Sequence, residues 1–214
     1  MSKFEQLQDV IPGVSRETFE RLEKFESEFK RWNSRINLAA PSTIDALWQR
    51  HILDSAQLAA LAPDALQWLD LGSGGGFPGA VMAVILRERP GARIELVESN
   101  NKKAAFLRSV LASLDARAKV HVSRIEQAVG KVSQPQIVTA RALAPLPLLI
   151  KLSQPWLQQG ATALFHKGRE YAAEVEESRY AYGFDLVQHE SRIDSTSRIL
   201  EISRLTDANV SAET

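Results

Sequence analysis

Residues 70–79, with the sequence DLGSGGGFPG, decide the fold of this chain. An apolar segment at 66–71 leads into the glycines and predicts a short buried β-strand. Pro78 lies where a helix can begin, and the apolar residues 80–86 continue that helix. A strand, a glycine-rich turn and a helix in this order predict a loop whose backbone lies directly against a ligand, because glycine has no Cβ atom to block the approach.

The same alternation of strand and helix continues along the chain. Further strands are predicted at 93–98, 119–122, 136–142 and 161–166, and helices at 102–114, 124–129, 146–157 and 170–180. This pattern predicts an α/β fold with a Rossmann-like, mostly parallel sheet that helices cover on both faces. The last two strands, 184–190 and 198–205, are joined by only about seven residues, so we expect an antiparallel C-terminal strand pair.

The first 62 residues are predicted to be entirely helical. One apolar face recurs at steps of three or four residues and indicates a long amphipathic helix that packs on the core; its members are Phe19, Leu22, Phe25, Phe29, Trp32 and Ile36. Ser42, followed three residues later by Asp45, resembles a capping box that opens the next helix.

Composition excludes several kinds of chemistry. The chain of 214 residues has 26 basic and 26 acidic side chains, so any nucleic-acid binding must depend on a local basic face. Cysteine is absent, which excludes disulfides, thiolate metal sites and cysteine nucleophiles. The four histidines show no close ligand spacing, and no metal is expected. Without an apolar run of membrane length or a signal peptide, we expect a cytoplasmic protein with no membrane partner.

The glycine turn and the acidic residue at the end of the next strand favour one cofactor. The turn reads G-x-G-x-G, and Phe77 replaces the third glycine of the dinucleotide fingerprint G-x-G-x-x-G. Glu98, about 26 residues after Gly72, can accept hydrogen bonds from both ribose hydroxyls and would repel a 2′-phosphate. Together with the antiparallel strand pair, this favours S-adenosylmethionine bound at Gly72, Gly74 and Glu98. A mere tight turn and a solvated Glu98 are the simpler alternatives.

Two sequence features that other nucleic-acid methyltransferases use are absent, which narrows the kinds of acceptor atom that this chain can methylate. Methylation of pyrimidine C5 usually needs a cysteine, and methylation of an exocyclic amine usually needs an Asn/Asp-Pro-Pro-aromatic segment after the fourth strand. That position reads TARALAP at 139–145. An acceptor with a free lone pair, such as guanine N7, needs only alignment with the methyl group. We therefore expect no general base.

Taken together, these segments resemble the bacterial 16S rRNA (guanine-N7)-methyltransferase family, also called the glucose-inhibited division protein B family. The similarity extends over roughly residues 19–205. It is specific because it depends on the order and spacing of many motifs together and not on any single one. The matching segments are WN at 32–33, INL at 36–38, RHILDS at 50–55, DLGSGGGFPG at 70–79, ES at 98–99, KK at 102–103, FL at 106–107, Arg124 with Glu126, RALA at 141–144 and KG at 167–168.

The resemblance implies transfer of a methyl group from S-adenosylmethionine to N7 of one guanine in the 530 loop of 16S rRNA, position 527. The partner would be 16S rRNA or a small-subunit assembly particle, and no protein partner is implied. By matching motif, the cofactor contacts would be Gly72, Phe77, Ile125 and Glu126. Arg141 would line the methyl-transfer pocket and have a positioning role there, at the cofactor or the guanine. Gly75 stands where many members have Ala or Pro, which predicts a looser loop.

A basic face is the candidate RNA-binding surface. Its expected members, near predicted strand ends or within the matching motifs, are Arg50, His51, Lys102, Lys103 and Lys167. Such cations would position RNA through its phosphates without reading its sequence. His51 and Asp54 lie one helical turn apart, so they could instead bond each other or cap a neighbouring helix.

The sequence thus predicts a helical extension at 1–62, an S-adenosylmethionine-binding methyltransferase domain at 63–206, and a disordered tail at 207–214. Three other functions stay open at this point. The chain could be a small-molecule or protein methyltransferase whose extension forms a lid, a non-catalytic sensor of cofactor or RNA, or an oxidoreductase.

Overall fold

The computed structural model describes residues 1–208, apart from the side chain of residue 41, and within that range it has one seven-stranded sheet with helices on both faces. The strands are β1 (Gln67–Leu71), β2 (Arg93–Glu98), β3 (Ala118–Val122), β4 (Ile137–Arg141), β5 (Thr162–Lys167), β6 (Tyr182–Glu190) and β7 (Arg198–Asp207). The helices are α1 (Lys3–Val10), α2 (Arg16–Asn33), α3 (Asp54–Ala56), α4 (Leu58–Leu61), α5 (Gly79–Leu86), α6 (Asn101–Ser113), α7 (Ile125–Ala128), α8 (Leu146–Leu157) and α9 (Tyr171–Arg179).

The sheet order β3-β2-β1-β4-β5-β7-β6 confirms the predicted fold class. Strands β1 to β5 pair in parallel, whereas β7 runs antiparallel to both β5 and β6. The order reverses between β1 and β4, because β2 lies on one side of β1 and β4 on the other. Ligands of doubly wound sheets bind at such a point, outside the carboxyl ends of the strands.

Two hydrophobic cores cover the two faces of the sheet. One contains side chains of α1, α2, α5 and α6, and the other contains those of α7, α8 and α9. Leu22, Phe25 and Phe29 of α2 are fully buried in the first core. Burying one such side chain stabilises the fold by about 1.5–3 kcal/mol. The N-terminal helices therefore share their core with the sheet.

Two local predictions for the N-terminal region are wrong. Helix α2 ends at Asn33, before Ile36, because the Asn33 side chain accepts the backbone N–H groups of Leu38 and Ala39 at 2.9 and 3.0 Å. In the described part of the chain, no side-chain bond of Ser42 caps a helix; Pro41–Thr43 is a 3-10 turn that Thr43 closes onto the Ala40 carbonyl.

A π-helical turn, Trp48–Leu53, follows this 3-10 turn and leads directly into α3. Its fully buried Ile52 and nearly buried Trp48 belong to the first core. The turn therefore has a fixed place beside the sheet, and it carries Arg50 and His51 towards the carboxyl ends of the strands.

At the C-terminus, β7 continues two residues beyond its predicted end and finishes at Asp207. Residues 209–214, which make up most of the predicted tail, lie outside the described residues. Within residues 1–208, no helix combines the length and the apolar character needed to cross a membrane.

Candidate active site

A cavity of about 640 Å³ lies at the carboxyl ends of β1, β2 and β4. This volume is within the range of sites that hold small molecules or cofactors. All of the residues predicted to contact the cofactor line it: Gly72, Gly74, Phe77, Glu98, Ile125, Glu126 and Arg141. They lie in the glycine loop after β1, at the ends of β2 and β4, and in α7 after β3, and the parallel sheet brings these four segments to one edge.

The glycine loop requires glycine for two different reasons. Gly72 and Gly74 have φ angles of +65° and +53°, in the left-handed region that side chains other than glycine rarely adopt. A Cβ atom on Gly72 would also lie 2.5 Å from the side chain of Leu143, whereas one on Gly74 would contact only the Gly72 carbonyl oxygen, at an ordinary 3.7 Å. The uncrowded side of Gly74 is the cradle that a ligand can fill.

Gly75 contacts the N-terminal helices. A Cβ atom there would lie 2.8 Å from the ring of Phe29 and 3.1 Å from the carbonyl oxygen of Leu38. The prediction that Gly75 makes the loop looser is therefore wrong. Because glycine has no side chain, α2 and the turn after it pack closely against the loop. Phe77 belongs to the same contact: its ring lies 5.2 Å from that of Phe29 and is only 8% exposed.

Glu98 joins the glycine loop to the start of α6. One carboxylate oxygen accepts the Gly74 N–H at 2.8 Å, and the other accepts the Asn100 N–H at 2.6 Å. Glu98 is buried, but each of its oxygens has a second lone pair. The carboxylate can therefore hold the loop and still accept ribose hydroxyls, so the donor set fits the ribose of S-adenosylmethionine.

Asp70, at the end of β1, has a structural role that the sequence did not reveal. It accepts the Thr139 hydroxyl at 2.8 Å and the Gly79 N–H, at the start of α5, at 3.2 Å. Burial raises the pKa of Asp70 to about 6. This carboxyl group therefore fixes the exit of the glycine loop into its helix.

Arg141, the last residue of β4, is the centre of a polar cluster. Its guanidinium donates to the Asp54 carboxylate at 3.0 Å, to the Arg50 carbonyl at 3.0 Å and to Nδ1 of His51. Burial lowers the pKa of Arg141, while the charge of Asp54 opposes that shift. The next residue, Ala142, has a φ of +51°, a strained conformation of the kind that persists at functional sites.

His51 is held between Arg141 and the aromatic ring of Phe77. The imidazole stacks on that ring at 4.9 Å with an interplanar angle of 25°. Because Arg141 donates to Nδ1, the ring proton resides on Nε2. Burial, followed by the positive charge of Arg141, lowers the pKa of His51 to about 4. His51 and Asp54 therefore do not bond each other directly, but both bond Arg141.

A second cavity of about 620 Å³ adjoins the first, and both are lined by Thr43, His51, Arg141 and Ala142. Sequence reasoning missed its other wall, formed by Asp194, Ser195 and Ser197. These three residues belong to the turn between β6 and β7, and only strand pairing brings them to the site. A signal for Asp54 did exist, in its spacing three residues after His51.

His166 also lines the second cavity and contacts Asp54. Its Nε2 lies 3.0 Å from the Asp54 carbonyl oxygen, and burial lowers its pKa. Asp54 thereby connects to both histidines of the site, directly to His166 and through Arg141 to His51.

The candidate RNA-binding residues occupy different surroundings. Arg50 is exposed at the second cavity, Lys102 is exposed on α6, and Lys103 lines the first cavity. Lys167 has a side chain that is only 9% exposed, and its ammonium pairs with Glu174 at 2.5 Å and with the Ala144 carbonyl at 3.1 Å. That ammonium therefore ties the segment after β4 to α9, which leaves it poorly placed to reach phosphate.

The arrangement of side chains in the described residues does not suggest a metal site. In the range 1–208, His, Asp and Glu side chains form no group of three or more that could hold an ion. The expected absence of a metal stays a prediction from the sequence.

Comparison with known proteins decides the family. The family model described as GidB, rRNA small subunit methyltransferase G, matches residues 18–200. This chain belongs to that family. The ribosomal RNA small subunit methyltransferase G of Chelativorans sp. is 57% identical over 95% of this chain and 97% of its own length. That of Brucella anthropi is 56% identical over 95% and 96%.

Solved structures with the same fold are more distant in sequence. An O-methyltransferase from Bacillus cereus, in complex with SAH, has a TM-score of 0.59 at 14% identity and covers 94% of this chain and 96% of its own. The O-methyltransferase TomG from Streptomyces achromogenes, in complex with SAM, has a TM-score of 0.57 at 15% identity, with 92% and 93% covered. At these low sequence identities, the structural similarity shows that the proteins share a fold and nothing more.

As a member of the rRNA small subunit methyltransferase G family, the chain is a methyltransferase, and S-adenosylmethionine is its methyl donor. The resemblance noted from the sequence is thereby confirmed. The oxidoreductase and the non-catalytic sensor are the wrong hypotheses. The roles of individual site residues stay predictions.

Proposed function

We propose that this chain transfers a methyl group from S-adenosylmethionine to N7 of a guanine in 16S rRNA, namely guanine 527 of the 530 loop. The observation that carries the proposal is the pair of adjoining cavities with His51 and Arg141 in their common wall. The first cavity, with its glycine loop, suits the cofactor. The second suits a flipped-out base, because it is similar in size and opens beside exposed Arg50.

The cofactor would lie against Gly72 and Gly74, with its ribose hydroxyls on Glu98. Ile125 and Glu126 would flank the adenine, and Phe77 would form the floor beneath the junction. When bound, S-adenosylmethionine supplies an electrophilic methyl group on a sulfonium. The protein's own part is to hold this group in line with the acceptor and to exclude water.

No residue needs to act as a general base. Guanine N7 offers a lone pair and carries no proton at neutral pH, so nothing has to be removed before attack. Side-chain geometry agrees with this chemistry: Arg141 is paired with Asp54, and Asp70 is fully buried in its own hydrogen bonds. At the junction, Nε2 of His51 holds a proton and can only donate. Catalysis would therefore come from alignment.

RNA would reach the site along a small basic face formed by Arg50, Lys102 and Lys103, and phosphate contacts there would set its register. The substrate would be 16S rRNA or a small-subunit assembly particle, without a protein partner, and an enzyme acting on it would be cytoplasmic. A small-molecule methyltransferase with the same core would instead turn over without RNA.

Mass spectrometry of 16S rRNA from cells with and without the gene for this chain tests the proposal. Loss of 7-methylguanosine at position 527, restored by the wild-type chain and not by Glu98→Ala, is the expected result. An unchanged modification pattern in cells that lack the chain would overturn it.

A further inference from the structure

A guanine bound at the junction between the two cavities would need a hydrogen-bond donor from the protein. A guanine that presents N7 to the first cavity also presents O6 beside it, because both acceptors lie on the same edge of the base. Adenine has an amino group at that place, so a donor in the protein would accept guanine and reject adenine. The donor must come from the residues that line both cavities. Of these, Ala142 has no side-chain donor and the Thr43 hydroxyl donates to the Ala40 carbonyl at 2.8 Å, which leaves His51 and Arg141.

Three of the five N–H groups of Arg141 have partners within the fold, and these partners fix its position. One terminal nitrogen donates to both Asp54 and the Arg50 carbonyl, and the other donates to His51. Turning this guanidinium towards a base would break contacts that are largely buried. Its charge would also oppose the positive charge that develops on the guanine ring as N7 is methylated.

His51 has the opposite properties. Its Nε2 is buried and has no hydrogen-bond partner within the described residues. Buried polar atoms without partners are rare in folded proteins, and each calls for an explanation such as a missing ligand. Stacking on Phe77 and the bond from Arg141 fix the plane and the tautomer of the ring, so the Nε2–H is a rigid, uncharged donor.

We propose that His51 is a substrate-contacting residue whose Nε2–H donates to O6 of the target guanine and so selects guanine over adenine. The proposal rests on the proposed function, whose acceptor atom it shares. Asp54 does not contact the substrate in this proposal. It is a positioning residue, because it holds the guanidinium of Arg141, which orients the imidazole.

The test removes the two partners of the hydrogen bond separately. Single-turnover rates are measured on RNA that carries either guanine or 2-aminopurine, which lacks O6, at the target position. His51→Phe keeps an aromatic ring against Phe77 but has no donor. His189→Phe is the matched control, because that histidine pairs with Glu201 on the terminal strands, away from both cavities.

We expect the guanine to 2-aminopurine rate ratio to fall about tenfold in His51→Phe and to stay unchanged in His189→Phe. Intrinsic differences in N7 reactivity cancel, because they affect both enzymes equally. Calorimetry with S-adenosylmethionine verifies that each variant is folded, and His51→Leu replaces His51→Phe if the latter fails this check. His51→Gln, which keeps a donor, should retain most of the ratio.

An equal ratio in wild type and the donor-less variant would overturn the role of His51 while leaving the proposed function standing. If the wild-type enzyme forms no 7-methylguanine in the guanine RNA, the proposed function fails, and this proposal fails with it.

Discussion

The carboxylate of Glu98 accepts the backbone N–H of Gly74 across a distance of 2.8 Å, which joins the end of β2 to the glycine loop after β1. The cofactor cradle therefore depends on a contact between two strands as well as on the glycines themselves. Since the second oxygen of Glu98 accepts the Asn100 N–H, the same side chain also fixes the entrance to α6.

Replacing Glu98 by alanine should raise the dissociation constant of S-adenosylmethionine about 10- to 100-fold, because hydrogen bonds to a charged group are lost at the ribose and in the loop. Calorimetric titration measures this directly. Glu176→Ala, which removes an exposed carboxylate from α9, is the control and should leave the affinity unchanged. Equal affinity in the two variants would show that Glu98 does not bind the cofactor.

Gly74→Val should weaken cofactor binding by strain and by obstruction. The φ of +53° is costly for a β-branched residue, by about 1–3 kcal/mol, and the new side chain would occupy the open side of the loop. Gly13→Val is the matched control, because Gly13 has a φ of +80° in open space between α1 and α2. Both variants should lose similar thermal stability, but only Gly74→Val should lose cofactor affinity.

Asp54→Asn should lower the free energy of unfolding by about 3–5 kcal/mol, since it leaves the largely buried guanidinium of Arg141 without its counter-charge. Asp185→Asn breaks a surface pair with Arg204 and should cost less than about 1 kcal/mol. Urea unfolding compares the two. Similar small losses would mean that Asp54 does not anchor Arg141.

The rate of methyl transfer should be flat between about pH 6 and 8, where an ordinary histidine titrates. The pKa of His51 is lowered to about 4, so its neutral form predominates above that value and is lost only as the pH falls towards it. The rate should decline in acid, because protonation of Nδ1 removes the acceptor through which Arg141 orients the ring, although Nε2 still carries its proton. Arg141→Ala removes a charge that lowers this pKa and should move the decline to higher pH.

Single-turnover assays across this range provide the measurement. A tenfold rise per pH unit between about pH 6 and 8 would contradict the base-free mechanism. It would show that a group of the protein must lose a proton in this pH range before reaction.

The sheet, the glycine loop and Glu98 could be predicted from the sequence, because short-range patterns determine them. The polar cluster could not, since Asp54 and Arg141 are 87 residues apart and meet only after the π-helical turn packs beside β4. Lys167 illustrates the same limit: its neighbours in sequence suggested a free cation, whereas α9 supplies Glu174 as its partner.

RNA affinity should fall with salt, because three cations that meet phosphates release counterions. If Arg50, Lys102 and Lys103 all bind phosphate, the slope of log affinity against log salt should be about −2 to −3, and Lys102→Ala should reduce its magnitude by about 0.7–0.9. Lys119→Ala, at the opposite edge of the sheet, is the control. Filter-binding titrations that show no salt dependence would exclude the basic face.

The most direct test of the whole account is methyl transfer in vitro with labelled S-adenosylmethionine. Purified protein is incubated with 16S rRNA or with small-subunit particles from cells that lack the modification, and the digested RNA is analysed by mass spectrometry. The account predicts labelled 7-methylguanosine at position 527, formed by the wild-type chain and much more slowly by Glu98→Ala. Label on another atom or base, or no label in RNA while a small molecule is methylated, would contradict it.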